Sequence, residues 1–382
     1  MKAAYVCSDR GVPVFGSKGC SLHVQEIARA LIKSDIGVDL HAAAVGGQCP
    51  DDLKPIDVHR IRHAKLTDRA LREQSDIDDN LTTMTELERS EPYDFVYERY
   101  SLWSYAGMSY AASRHIPAIL EVNAPLIEEQ KKYRGLIDQH AAVAVTERCF
   151  DDASLILTVS EQVADYVERY PQAHGKVKVL PNGVNTDRFA QVSHDNHCQF
   201  TFGFVGTLKP WHGVERLIAA FAAIHSRYPQ TRLLIVGDGP MKDTLVSQVI
   251  ELKLADCIEI TGLVEPANMI NMYQQMDVGV APYPDDIEFY FSPLKVYEYM
   301  AAGLPVIGSD IGQISDIVTD GKTGLTCSAS ELEGLIKAME FMVTHRSMSL
   351  VWGQAAQREA QAHHSWKQRV DNILAWSGLA PE

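Results

Sequence analysis

A short segment around residues 292–298 combines a predicted helix start with a lysine and a glutamate, a combination suited to a phosphorylated ligand. Ser292 is a good helix N-cap, and Pro293 favours the first helical turn. The N–H groups of Leu294 and Lys295 would then lack partners inside the helix, with the positive end of the helix dipole and the lysine ammonium beside them. This pattern predicts an anion site, and Glu298, one turn later, could accept the two vicinal hydroxyls of a ribose.

The same residues also fit an ordinary surface helix. In that interpretation Ser292 only caps the helix, and Glu298 forms an ion pair with Lys295 at helical spacing. Helix caps are common and short motifs give false matches, so the rest of the sequence has to decide between the two interpretations.

The composition is that of an ordinary globular protein. The chain has 382 residues, 46% hydrophobic and 22% charged, enough for two domains of roughly 150–200 residues each. Its formal charge of −15 argues against nucleic acid as a partner. The seven cysteines are scattered without CxxC pairs, the first apolar run is too short for a signal peptide, and no apolar run approaches the ~18 residues of a membrane span. We therefore expect a cytoplasmic protein without structural zinc or disulfides.

Apolar strands alternate with helical segments in the first half of the sequence. Residues 2–7 predict a strand, followed by the glycine-containing loop 8–21 and an amphipathic helix. Residues 63–91 are polar and predict an exposed excursion that carries a helix. The further predicted strands lie at 38–44, 94–97, 118–122, 155–159 and 177–180. This alternation favours a parallel sheet that is covered on both faces.

The same plan repeats after a polar stretch at 191–199, which predicts a linker. A strand at 202–206, a loop and an amphipathic helix open the second half, and further strands are predicted at 233–237, 258–262, 278–282 and 305–309. The predicted fold class is α/β, with two Rossmann-like domains whose parallel sheets face each other across a cleft. The predicted domains are 1–188, 189–365 and a C-terminal helix at 366–382 that packs back on the first domain.

Several motifs, in their order along the chain, resemble glycosyltransferase family 4, a large retaining family with the GT-B fold. PNGVNTDRF at 181–189 resembles the turn before the family's second domain, and FVGTLKPWHGVERLIAAF at 204–221 resembles that domain's first strand and helix. The motifs LLIVGDGP, ITGLV and DGKTG follow in the family's order. A dehydrogenase is a poor match, because neither glycine loop has the full GxGxxG spacing.

The resemblance implies a nucleotide-sugar site in the second domain and an acceptor site in the first. The nucleobase is expected against the backbone of Gly262, Leu263 and Val264, although these residues also fit a simple strand-to-helix turn. In the first domain, Gly19 would let the backbone approach the phosphate and the sugar. The implied donor-binding residues are Gly19, Gly206, Thr207, Lys209, Gly262, Leu263, Val264, Tyr290, Ser292, Pro293, Leu294, Lys295 and Glu298.

Two loops depart from the family pattern in charge. Thr207 and His212 occupy the positions where the family often has an arginine and a lysine that neutralise the departing diphosphate. Lys209 and Lys295 are therefore expected to supply that positive charge. In the first domain, Lys18 replaces the first residue of a Gly-Gly pair.

Two further departures concern the donor sugar. The family pairs two glutamates eight residues apart, and Tyr290 occupies the earlier position, so Glu288 or Asp286 are the candidates to replace it. Asn123 occupies the neighbourhood where the family commonly has a histidine, and it is expected to bond a sugar hydroxyl. For Glu121, two residues earlier, a purely structural role is an equal alternative. The acceptor is expected near the strand end formed by residues 97–99.

The resemblance implies transfer of a hexose from a nucleoside diphosphate sugar to an acceptor hydroxyl with retention of configuration, without a metal cofactor. Uridine is the expected base, and an oligosaccharide, a glycolipid or a small molecule is the expected acceptor, in polysaccharide or glycolipid synthesis. The alternatives are a nucleotide-sugar epimerase and a nucleotide-sugar-binding protein without catalysis. Lys131, Lys132 and Arg134 predict at most a weak association with a membrane surface.

Overall fold

The computed structural model describes residues 1–90, 92–190, 192 and 198–380, and it confirms an α/β fold with two parallel sheets. The chain divides into two compact units. Unit 1 contains Met1–Asn182, Tyr290–Ser292 and the segment from Trp366 onward, and unit 2 contains Gly183–Phe289 and Pro293–Ser365. Most of the predicted linker at 191–199 lies outside the described residues.

Strands and helices alternate through most of the chain. The strands are β1 Lys2–Cys7, β2 Gly37–Ala42, β3 Asp57–Arg60, β4 Phe95–Arg99, β5 Ala118–Val122, β6 Leu155–Thr158, β7 Val177–Val179, β8 Phe200–Val205, β9 Thr231–Val236, β10 Ile258–Ile260, β11 Val278–Ala281, β12 Val306–Ser309 and β13 Gly324–Cys327. The helices are α1 Gly19–Lys33, α2 Arg69–Arg89, α3 Ala106–Arg114, α4 Leu126–Glu129, α5 Gln139–Asp152, α6 Glu161–Val167, α7 Val214–Arg227, α8 Lys242–Glu251, α9 Met269–Gln274, α10 Leu294–Ala301, α11 Ile314–Ile317, α12 Leu332–Thr344, α13 Arg346–His363 and α14 Trp366–Trp376.

The sheet of unit 1 has the strand order β3-β2-β1-β4-β5-β6-β7, and its neighbouring strands are parallel. Every residue of β5 is buried, as expected for a parallel strand that is covered on both faces. The sequence did not predict β3, because this edge strand reads DVHR and is mostly exposed. Hydrophobic periodicity cannot detect a polar edge strand.

The sheet of unit 2 has the order β10-β9-β8-β11-β12-β13 and is also parallel. All six residues of β8 are buried, and Phe202 packs edge-on against Phe221 of α7, with 6.3 Å between the ring centroids. The predicted strands of this half are confirmed to within a few residues, whereas β13 was not predicted. In both units the carboxyl ends of the strands lie along one edge, where open α/β sheets bind ligands.

The sequence predicted an exposed excursion that carries a helix at residues 63–91. The structure confirms the helix, α2, but part of its surface is buried. Its Asn80 side chain is 3% exposed and donates a hydrogen bond to the carbonyl of Trp103 at 2.8 Å. The Asn80 carbonyl oxygen accepts from the amides of Tyr105 and Ala106, at the start of α3. A polar residue can therefore anchor this helix, which the hydrophobic pattern did not show.

The C-terminal helix α14 belongs to unit 1 and packs against α1. The Trp366 ring lies 4.9 Å from the His23 ring, measured between centroids. The Arg369 guanidinium donates to the carbonyl of Asn182 at 3.3 Å. None of the helices in the described residues is both long enough and apolar enough to span a bilayer.

Gly213 illustrates how closely two loops of unit 2 approach each other. Its φ is +66°, and a Cβ at this position would lie 2.0 Å from the carbonyl oxygen of Pro282. Gly321 has nearly the same φ, +69°, but has no heavy atom within 4 Å of a Cβ. A side chain at Gly321 would add only backbone strain, whereas a side chain at Gly213 would add both backbone strain and steric overlap. Substituting the two glycines therefore measures these two costs separately.

We expect Gly321→Ala to lower the free energy of unfolding by about 1 kcal/mol, because only backbone strain is added. Gly213→Ala should cost about 3 kcal/mol, since the overlap with a backbone carbonyl adds to the same strain. Chemical denaturation of the two variants, compared with wild type, measures both values. Equal destabilisation would contradict the close approach of the two loops.

Candidate functional site

Helix α10 begins at Leu294, and Pro293 is its N-cap residue without a capping side chain. The prediction that Ser292 caps this helix is wrong. The Ser292 hydroxyl instead accepts from the amide of Asn182 at 3.1 Å, and its carbonyl accepts from the Asn182 side chain at 2.9 Å. The amides of Leu294 and Lys295 donate to no acceptor in the described part of the chain, so the helix start keeps two free N–H groups.

Lys295 is the most unusual charged group of unit 2. The residue is only 8% exposed, and its Nζ has no hydrogen-bond partner among the described residues. Nζ lies 4.1 Å from the ring centroid of Phe204 and 5.1 Å from that of Tyr283. Burial lowers the pKa of Lys295 to about 7, and the nearby Glu298 acts in the opposite direction. The aromatic faces offset part of the desolvation cost, but they leave Nζ without a hydrogen-bond partner in the described residues.

The interpretation of this segment as a surface helix is wrong. Six of the eight residues of α10 are buried, and within the described residues Lys295 forms no ion pair with Glu298. The helix is held down by Tyr299, whose hydroxyl accepts from the amide of Val205 at 2.8 Å. A Cβ on Gly279 would lie 2.3 Å from the ring of Tyr299, so this glycine admits the ring over β11.

The loop after β8 brings its backbone close to Lys295. Gly206 has a φ of +146°, and a Cβ at this position would lie 3.0 Å from the Lys295 Nζ. The carbonyl of Thr207 receives a hydrogen bond from Nδ1 of His212. Burial, together with the positive charge of Lys295, lowers the pKa of His212 to about 3. His212 is therefore neutral at pH 7, and neither it nor Thr207 supplies the charge found at these positions in family 4.

Lys209 is the second cation of this loop. It is half-buried, and its Nζ lies 5.5 Å from the ring centroid of the exposed Trp211. Its positive charge also depresses the pKa of His212, as that of Lys295 does, so both ammonium groups act on the same imidazole. The two predicted cations thus lie in one neighbourhood of unit 2.

The predicted ribose and nucleobase residues lie beside this loop and helix in the same unit. Glu298 accepts a hydrogen bond from the hydroxyl of the buried Tyr273 at 2.9 Å. Gly262, with a φ of +73°, forms a bridge with Gly237 at the end of β9. Leu263 is 75% exposed, which leaves a large apolar side chain next to a backbone turn.

The remaining residues that were predicted near the donor lie partly in unit 1 and partly in unit 2. Gly19 is the first residue of α1, and Lys18 precedes it in extended conformation. Asn123 follows β5, and its Nδ2 is buried without a partner in the described residues. The Tyr290 hydroxyl donates to Glu129 of α4, and the Tyr290 carbonyl accepts from Ser160. Val264 adjoins Leu263 in unit 2, and the exposed Asp286 and Glu288 occupy the loop before Tyr290.

A buried charged cluster in unit 1 was only partly anticipated. Glu121 lies 3.0 Å from Nε2 of His23, and Arg99 lies 3.2 Å from Nδ1 of the same ring. Burial lowers the pKa of His23 to about 4, so the ring is neutral and Nδ1 accepts from Arg99. Arg99 and Glu121 are register partners in β4 and β5. The sequence signal for this cluster was the position of Arg99 and Glu121, two charged residues near the ends of buried strands.

Glu98 does not line an acceptor site. It is fully buried, accepts from the Ser104 hydroxyl at 2.7 Å and from the Met108 amide at 3.0 Å, and so holds the start of α3. Burial raises its pKa to about 7. The expectation that residues 97–99 contact an acceptor therefore does not extend to this carboxylate.

Comparisons with known proteins agree with the two-unit organisation. The family model of Glycosyltransferase Family 4 matches residues 17–188, and that of Glycosyl transferases group 1 matches residues 199–345. The chain is 23% identical to the glycogen synthase of Mycobacterium tuberculosis strain H37Rv over 77% of this chain and 68% of that protein. It is 24% identical to the D-inositol 3-phosphate glycosyltransferase of Corynebacterium aurimucosum over 74% of this chain and 72% of that protein.

Solved structures show the same fold at low sequence identity. The sucrose-phosphate synthase of Thermosynechococcus elongatus superposes with a TM-score of 0.74 at 18% identity, over 97% of both chains. HepE of Anabaena in complex with UDP also has a TM-score of 0.74 at 18% identity, over 98% of this chain and 100% of that chain.

The buried ammonium makes stability depend on pH. The pKa of Lys295 is about 7 in the folded protein, whereas a lysine side chain in water has a pKa of 10.5, so the unfolded chain holds more protons between these values. Stability from this site therefore rises with pH across that window, by at most about 1.4 kcal/mol per pH unit. We expect Lys295→Met to be more stable than wild type at pH 7 without ligand, and we expect the difference to shrink towards pH 10.

Calorimetry at a series of pH values measures this difference. Lys322→Met is the control, because Lys322 is an exposed lysine of the same unit. Its difference from wild type should stay flat over the same pH range. A difference for Lys295→Met that stays constant or grows with pH would show that the ammonium is not desolvated.

Proposed function

This chain belongs to the family-4 glycosyltransferases with the GT-B fold, and we propose that it transfers a hexose from a UDP-sugar to an acceptor hydroxyl with retention of configuration. The observation that carries the proposal is the buried Lys295 ammonium without a hydrogen-bond partner among the described residues, next to the free amides at the start of α10. A buried positive charge needs an anionic partner, and a diphosphate would provide one.

Two backbone amides and two lysine ammonium groups would bind the diphosphate. The amides of Leu294 and Lys295 point out of the helix start, the Lys295 ammonium adds a full charge, and Lys209 adds a second one from the β8 loop. Gly206 lacks a side chain where the loop passes Lys295, so its backbone can approach the phosphate. Binding to the phosphate would raise the depressed pKa of Lys295 and keep it protonated.

The nucleoside would extend from the diphosphate towards Glu298 and the turn at Gly262. The Tyr273 hydroxyl orients one carboxylate oxygen of Glu298, and the carboxylate can accept the two ribose hydroxyls. The backbone of Gly262, Leu263 and Val264 would bind the base edge. We choose uridine because HepE, which has the same fold, was solved with UDP.

Stabilisation of the negative charge on the leaving diphosphate would lower the barrier to the reaction. In the proposed mechanism the acceptor hydroxyl attacks C1 on the face that the diphosphate leaves, and a departing phosphate oxygen takes its proton. Lys209 and Lys295 would stabilise the negative charge that develops on that phosphate. Asn123 of unit 1 is proposed to bond a hydroxyl of the donor sugar. No step of this mechanism is assigned to a metal.

A pathway of polysaccharide or glycolipid synthesis would use such a transfer, and a cytoplasmic location would supply the nucleotide sugar. The function is tested by incubating the protein with UDP-sugars and acceptors and following UDP release. Proton NMR of the product then reports the anomeric configuration. An isomerised nucleotide sugar without transfer would favour an epimerase, and UDP binding without any turnover would favour a non-catalytic protein.

Nucleotide binding should depend strongly on the Lys295 charge. We expect Lys295→Met to raise the Kd for UDP at least about tenfold, because a charge-assisted contact of roughly 1.5–3 kcal/mol is lost. Isothermal titration at pH 6.5 measures the change, and Lys322→Met should bind UDP like wild type. Wild-type affinity of Lys295→Met for UDP, GDP and ADP would remove the basis of the proposed site.

Recognition of the ribose should depend on Glu298. Wild type is expected to bind UDP about tenfold more tightly than 2′-deoxy-UDP, because the deoxy compound leaves a carboxylate oxygen without its donor. Glu298→Gln should weaken binding of UDP and remove most of that preference. Competition titrations with the two nucleotides measure it, and a preference that persists in Glu298→Gln would assign the ribose to another residue.

A further inference from the structure

Unit 1 contains a cavity of about 410 Å³ that the donor site does not explain. Its wall includes Ser8 directly after β1, Ser101 shortly after β4, and Arg72 of α2. These strand ends are where open α/β sheets bind ligands. The cavity is therefore in a position suited to a substrate of unit 1.

The carboxylates of the cavity already have partners inside the protein. Glu73 accepts from the amides of Ile137 at 3.1 Å and Asp138 at 2.9 Å. Asp79 lies 2.7 Å from Nδ1 of His63. Asp76 pairs with the guanidinium of Arg10. His63, Asp76 and Asp79 converge as ligands of a cation would, but the Arg10 charge already occupies the carboxylate of Asp76.

Three of the cations that line the cavity have no such partners. Arg72 is half-buried, and Lys18 and Arg134 are exposed. None of the three forms an ion pair or a side-chain hydrogen bond with any residue that the structure describes. Nε of Arg10 is also buried without a partner in the described part of the chain. Nε2 of His63 is buried without a partner there as well, but the remaining unsatisfied groups are hydrogen-bond donors with positive charge, in a chain whose formal charge is −15.

The cavity also offers a surface for a sugar ring. The half-buried Trp103 lines it, and an indole face packs well against the C–H face of a sugar or polyol. Ser101 places a hydroxyl in the same wall. An aromatic face with nearby polar groups and several unpaired cations matches a ligand that has both hydroxyls and a negative charge.

We infer that this cavity binds the acceptor of the reaction, and that the acceptor is an anionic sugar or polyol whose phosphate is bound by Arg72, Lys18 and Arg134. The inference rests on the proposed function and on the family resemblance, which implies an acceptor site in the first domain. It also accounts for Lys18, which departs from the glycine of the family pattern and here adds a cation to the wall. Arg10, held by Asp76, would supply a further donor.

The test compares neutral and phosphorylated probes with saturating UDP, so that the site at α10 is filled. The probes are glucose and glucose 6-phosphate, and myo-inositol and myo-inositol 3-phosphate, titrated by calorimetry. Each phosphorylated probe should bind at least about tenfold more tightly than its neutral counterpart, and the difference should fall as salt is added. Equal affinity within both pairs would overturn the inference.

Two variants and one control test which residues bind the phosphate. Arg72→Gln should reduce the preference for the phosphorylated probe by about tenfold, and Lys18→Gly, at an exposed position, should also reduce it. Arg89→Gln is the matched control, because Arg89 is an exposed arginine of the same helix that does not line the cavity. A preference that survives both Arg72→Gln and Lys18→Gly would overturn the assignment.

Two further measurements separate the possible failures. UDP binding is measured on wild type and on Arg72→Gln and should be the same for both. If wild type binds UDP in a Lys295-dependent way but shows no preference for the phosphorylated probes, only the acceptor inference is refuted. If UDP does not bind but the Arg72-dependent preference persists, the proposed function fails and the anion site stands. Cosedimentation with phosphatidylglycerol and phosphatidylcholine vesicles distinguishes the source of the phosphate. Binding only to the anionic vesicles, dependent on Arg72, would support the site and assign its phosphate to a lipid headgroup.

Discussion

The desolvated ammonium of Lys295 is the constraint on which the donor half of this protein depends. A lysine that is 8% exposed and faces two aromatic rings, without a hydrogen bond to any described residue, is costly to the ligand-free fold. The surrounding structure maintains it: Tyr299 bonds the backbone of β8, and Gly206 leaves room for the Lys295 side chain. In the proposed function a diphosphate would supply the missing partner of this group, which would be preorganised for it.

The loop after β8 lacks the two cations of the family pattern. His212 is held neutral by burial and by Lys295, and it serves as a hydrogen-bond donor to the Thr207 carbonyl. The imidazole therefore shapes the loop and adds no charge. Lys209, two residues after Thr207, becomes the second source of charge.

Unit 1 uses its buried charges differently. Glu98 holds the start of α3, and Arg99 donates to Nδ1 of His23 and lies 3.7 Å from Glu121, so Glu98 and Arg99 have partners within the fold. In the cavity beside them, carboxylates are paired while Arg72, Lys18 and Arg134 are not paired within the described residues. We propose that the unpaired cations of the cavity bind a ligand, whereas Glu98 and Arg99 hold the fold of unit 1.

The sequence alone determined the alternation of strands and helices, the parallel sheets and the helix carrying Lys295 and Glu298, because buried parallel strands and amphipathic helices leave periodic apolar patterns. It missed β3, whose residues are polar, and it misassigned the N-cap, because the Ser292 hydroxyl bonds Asn182, 110 residues away in sequence. Only the tertiary structure decided which charges are buried and unpaired. The sequence marked Lys295 as a cation at a helix start, but its burial against the rings of Phe204 and Tyr283 arises only from the fold.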